Sequence, residues 1–102
     1  MQVQFSQHML NDRMDRYVVI ATEVGFGEVA MSVQRTDVRY GGKLTIQLTT
    51  TGVIIIKNAS DLIVTMYCTT VKQAHHLFRV NHLPQTVYKA IQRNSRHGYC
   101  AI

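Results

Sequence analysis

The stretch Lys43-Leu44-Thr45-Ile46-Gln47-Leu48-Thr49-Thr50-Thr51-Gly52-Val53-Ile54-Ile55-Ile56 decides the fold. Over residues 43–49 apolar and polar side chains alternate strictly. Leu44, Ile46 and Leu48 take one side; Lys43, Thr45, Gln47 and Thr49 take the other. A period of two is the mark of a strand with one buried face. Thr50-Thr51-Gly52 turns the chain. Residues 53–56 are apolar on both sides, as a central strand must be when both its faces are covered.

The flanking segments extend the same pattern. Upstream, Val29, Met31 and Val33 alternate with Ala30, Ser32 and Gln34 in a strand expected to reach Arg39 or Tyr40. Gly41-Gly42 is a hairpin signal. Downstream, residues 58–61 form a turn and residues 62–69 a fourth strand. Leu62, Val64, Met66 and Cys68 lie on one side of it, and Ile63, Thr65, Tyr67 and Thr69 on the other. Connections this short make the strands an antiparallel meander. If the side bearing Thr65, Tyr67 and Thr69 coincides with the side bearing Thr45, Gln47 and Thr49, the sheet has one polar face, from which Tyr67 could meet a phosphate or a base.

Helices are expected at both ends. Phe5, Met9, Leu10, Tyr17, Ala21 and Val24 fall on one stripe, with Arg13 or Met14 filling its gap. Ser6 is placed to cap this helix and Gly25 to end it, with a break near Tyr17 as the alternative. Thr70-Val71-Lys72-Gln73 is a capping box for a second helix reaching about Val80. Pro84 suits the first turn of a third, in which Val87, Tyr88 and Ile91 face inward and Gly98 is the stop. The expected class is α+β: one N-terminal helix, a four-stranded antiparallel meander and two C-terminal helices covering the sheet.

Composition limits the function classes. The 102 residues are 46% apolar and 17% charged, which fits one packed domain over 1–102. The aliphatic runs at 18–21 and 53–56 are too short for a membrane span or a leader. A cytoplasmic protein without membrane contact is therefore expected, with Cys68 and Cys100 as thiols. His97-Gly98-Tyr99-Cys100 has the spacing of half a zinc knuckle but lacks a second half, and no cofactor motif is present, so neither metal nor cofactor is expected.

Charge is distributed unevenly. Residues 1–61 hold six basic and six acidic side chains. No acid follows Asp61, while Lys72, Arg79, Lys89, Arg93 and Arg96 do, together with four of the five histidines. Lys72, His75, His76 and Arg79 share one helical face, which Lys89, Arg93 and Arg96 extend. The expected partner is negatively charged: nucleic acid, or an acidic protein that handles it. The alternative is a solvated face that keeps the chain soluble.

Three pieces resemble small phage and mobile-element domains related to the RelE-type toxin superfamily. They are Phe5-Ser6-Gln7-His8-Met9-Leu10-Asn11-Asp12-Arg13-Met14-Asp15-Arg16, Thr51-Gly52-Val53-Ile54-Ile55-Ile56 and Asp61-Leu62-Ile63-Val64-Thr65-Met66-Tyr67. The tail Leu83-Pro84-Gln85-Thr86-Val87-Tyr88-Lys89 is similar to that of prophage proteins. The resemblance implies a RelE-like scaffold that is either a metal-independent endoribonuclease or a binder that has lost catalysis. It differs in one place: the family's first Arg stands four residues after the His, where this chain has Asp12, and Arg13 comes fifth. For a nuclease the implied catalytic set is His8, Arg13, Arg16 and Tyr67, supplying proton transfer and phosphate stabilisation. The alternative pairs Arg13 and Arg16 locally with Asp12 and Asp15. A third reading is a mobile-element inhibitor of a host defence protein, of the anti-CRISPR kind.

Overall fold

The computed structural model describes residues 4–40 and 42–97. Gly98 and Cys100, named above as a helix stop and a thiol, lie outside the described residues, as does Gly41. The elements are α1 (Gln7–Asp12), α2 (Met14–Val19), β1 (Val29–Asp37), β2 (Gly42–Thr49), β3 (Val53–Lys57), β4 (Ile63–Cys68), α3 (Val71–Phe78) and α4 (Gln85–Asn94). The class is α+β, and the four strands form one antiparallel sheet in the order β1-β2-β3-β4.

Ser6 caps α1, its Oγ accepting from Met9 N at 3.1 Å. The expected single N-terminal helix is broken at Arg13, not near Tyr17. Arg13 leaves helical geometry (φ −135°, ψ 13°), and α2 runs into a wide π-type turn, Ile20–Val24, that ends at Gly25 with φ 81°. The break changes which side chains face inward. Met9 and Ile20 are buried, with Phe5, Met14, Tyr17 and Val24 packed against them, while Leu10 and Ala21 are exposed, contrary to the stripe. Tyr17 sits between Phe5, edge-on at 5.0 Å, and Phe26, stacked at 5.7 Å.

The register sorts the sheet's two faces. Ile46, Leu48, Ile54 and Tyr67 lie on one face, under Ala74 of α3 and Val87 and Ile91 of α4. Val53, Ile55, Met66 and Cys68 lie on the other, against Met9 and Ile20. β3 is therefore covered on both sides, as its apolar run requires. Leu44, Ile46, Leu48, Val53, Ile55, Val64 and Met66 are all buried. Thr49 is buried too, against expectation, because its hydroxyl accepts from Val53 N at 3.1 Å inside the β2–β3 turn.

Two expected polar sides do not coincide. Gln47 pairs with Ile55, and Ile55 with Met66, so Thr45, Gln47 and Thr49 share their face with Met66 and Cys68. Thr65 and Tyr67 point to the other face, the one that α3 and α4 cover. Strand β1 stops at Asp37, earlier than expected. The carboxylate of Asp37 accepts from Arg39 N at 3.0 Å and so favours the short 3-10 turn Val38–Tyr40.

The C-terminal helices follow from local signals with three changes. Thr70 caps α3, its Oγ1 accepting from Gln73 N at 3.2 Å, while Gln73 Oε1 accepts from Thr69. α3 ends at Phe78, short of Val80, with Arg79 left-handed at φ 53° and the Arg35 guanidinium donating to the Leu77 carbonyl. Pro84 is the N-cap of α4, one place before its first turn. Tyr88 is exposed rather than inward; Val87, Ala90, Ile91 and Asn94 form the buried stripe.

Candidate functional site

His8, Arg13 and Arg16 converge beside β4. His8 and Asp12 stand one turn apart on α1, with His8 Nδ1 3.1 Å from Asp12 Oδ2. The helix break at Arg13 carries its side chain out of line with α1. Its Nε donates to His8 Nε2 at 2.8 Å, and its Nη1 donates to Thr65 Oγ1 at 3.2 Å. One turn on, Arg16 Nη1 donates to the same oxygen at 2.9 Å. Two half-buried guanidinium groups thus share one hydroxyl as acceptor. The expected local pairing of Arg13 with Asp12 gives way to these contacts. Such a cluster presents N–H donors in the geometry an oxyanion accepts. The imidazole beside it is exposed and accepts from Arg13 at Nε2.

Tyr67, expected on an exposed polar side of the sheet, is 2% exposed, opposite Ile54 and within the core that α3 and α4 cover, so it is not open to solvent. Thr65, two residues before it, is the strand residue that both arginines reach. The sequence puts Thr65 on one side of a strand, but nothing local shows that two arginines about fifty residues upstream reach it.

The basic residues of the C-terminal half gather on one layer. α3 and α4 cover the same sheet face, with Ala74, Val87, Ala90 and Ile91 turned inward. Lys72, His76, Arg79, Lys89, Arg93 and Arg96 are exposed, and His75 is half-buried. Because no Asp or Glu follows Asp61, neither helix contributes a carboxylate to this surface. The layer's own field is therefore positive, and salt screens it over about 8–10 Å.

The opposite face holds a cleft of about 590 Å³ that the sequence does not reveal. Ile55, Ile63 and Met66 line it beside Phe26, with Gln47 and Lys57 adding polar groups. It lies between the N-terminal helices packed on β4 and residues 26–29 beside the end of β2. Among the described residues no three His, Cys, Asp or Glu side chains are grouped to hold a metal, and no helix is long and apolar enough to cross a membrane. No protein-family model, no curated protein and no solved structure matches the chain.

Proposed function

We propose that the protein binds RNA through the outer surface of the α3–α4 layer, on the RelE-like scaffold that the sequence resemblance implies. One observation carries this reading: Lys72, Arg79, Lys89, Arg93 and Arg96 are all exposed on a layer that has no carboxylate of its own. Phosphates displace condensed counterions when they meet such a surface, so log affinity should fall linearly with log salt. Five contacts correspond to a slope of about −4. Fluorescence anisotropy of a labelled single-stranded RNA across a salt series measures it. Binding whose affinity is unchanged by salt, or no binding at low salt, rejects the reading.

A second reading, a metal-independent endoribonuclease, is favoured by the convergence of His8, Arg13 and Arg16 at Thr65. When Arg13 turns from His8 Nε2 to the phosphate, that nitrogen would take the proton of the attacking 2′-hydroxyl; both arginines would face the negative charge that develops, and the departing 5′-oxygen would take its proton from water. Cleavage of RNA in EDTA that His8→Ala abolishes supports this reading. Intact RNA after prolonged incubation removes it.

A further inference from the structure

The two edges of the sheet differ. The β4 edge is met at its start by the N-terminal segment: Phe5 bridges to Ile63, with Ile63 N donating to Gln4 O and Ser6 N to Ile63 O, both at 2.9 Å. Strand β1 has a backbone partner on one side only, β2, among the described residues. Its nine residues therefore leave a row of amide and carbonyl groups without a sheet partner. The safeguards of this edge sit at its two ends: the strand contains no Pro and no Lys, its charges, Arg35 and Asp37, come late, and its one register shift lies at its start. Exposed apolar side chains flank it, Val29 at the start and Val38, 89% exposed, just past the end.

Beside this edge is a notch of about 190 Å³, lined by Val33, Gln34, Arg35, Leu77, Phe78 and Arg79. It forms where the end of α3 lies over β1, held there by the bond from Arg35 to the Leu77 carbonyl. A free strand edge next to a helix end is the arrangement that accepts an added strand, with a pocket for one of its alternate side chains.

We propose that the β1 edge and this notch dock an extended acidic segment of a partner protein, which adds to the sheet as a further strand and seats an apolar side chain in the notch. Charge selects the acidic partner. Arg35 and Arg79 border the notch, and the strand's own carboxylate, Asp37, is already paired with Arg39 at 2.8 Å. Backbone chemistry selects protein over nucleic acid, because a strand edge alternates donors with acceptors and a phosphodiester chain has no N–H to meet the carbonyls. Net charge disfavours a second copy, since a chain at +5 repels itself.

The probe is an acetylated, amidated peptide of alternating glutamate and valine, about as long as an ordinary strand. The isotope-labelled full chain is observed by amide NMR. Binding should slow hydrogen exchange at alternate β1 amides and weaken about tenfold when lysine replaces glutamate. Two isomers N-methylated at alternate positions should differ, one losing binding and the other keeping it, because only one set of peptide amides faces the edge. The proposal is overturned if both isomers bind like the parent, if the lysine peptide binds equally well, or if shifts appear only on α3 and α4. No binding at about 1 mM peptide also overturns it. A dimer by light scattering with β1 amides already protected would assign the edge to a second copy instead.

Discussion

Arg13 holds His8 by a bond from its Nε to the imidazole Nε2 at 2.8 Å, so the ring is an acceptor on the side that faces the arginine pair. Protonating His8 would put a hydrogen on Nε2 and destroy that acceptor, leaving two donors facing each other. The same guanidinium reaches Thr65, so the ring is coupled to the edge strand through one side chain.

Thr65→Val should therefore loosen both arginines at once. Removing their common acceptor costs about 1–3 kcal/mol, because Arg13 and Arg16 lose a bond made in a half-buried setting. Urea unfolding measures the loss, and the His8 ring signals in NMR should shift in the same variant. An unchanged His8 environment would show that Arg13 does not depend on Thr65.

The basic layer should respond to charge reversal without loss of fold. Arg79, Lys89 and Arg93 are exposed, so replacing all three with Glu should leave circular dichroism and melting nearly intact. The same variant should abolish RNA binding in anisotropy. Undiminished binding would move the search to the His8 cluster or the cleft.

Gly52 should not tolerate a side chain. Its φ is 84°, and a methyl group there would stand 3.0 Å from the Ile91 Cα and 3.1 Å from its N. Gly52→Ala should cost about 1–3 kcal/mol through strain and displacement of α4. Thermal unfolding reads the cost, and Asn94, which donates to Thr51 O at 2.9 Å, should lose amide protection with it.

Ile55→Asp tests the central strand. Ile55 is 5% exposed between Gln47 and Met66, and an unpaired carboxylate there costs several kcal/mol. Against a typical stability of about 5–15 kcal/mol, the variant should be largely unfolded. A cooperative melt at the parent temperature would contradict the burial.

Asp37 should titrate below the ordinary carboxylate range. The side chain of Arg39 lowers it first, through bonds from Nε at 3.1 Å and Nη2 at 2.8 Å, and the Arg39 backbone N–H adds to this. A depressed folded value means that the stabilising contribution is present above the unfolded carboxylate range and is lost as the pH falls through the lowered value. Carboxyl NMR titration should show the midpoint rising in Arg39→Ala, though not fully, since the backbone bond remains.

Elements and caps were legible in the residues because their causes are local. Alternation at residues 43–49, the apolar run of β3, Ser6 and Thr70 as caps and the exposed basic residues of α3 and α4 each follow from side chains a few positions apart. Contacts between distant segments were not legible. Whether Gln47 shares a face with Met66 or with Tyr67 depends on a register that a single slip inverts. The helix break at Arg13 is a tertiary effect too, since the arginine's partners His8 and Thr65 lie on different elements. The sequence by itself determined the order of elements and the charge of the C-terminal surface, since periodicity and composition are properties of the chain. Only packing decided that Tyr67 is buried, that Thr65 gathers two arginines, and that β1 is left as the open edge.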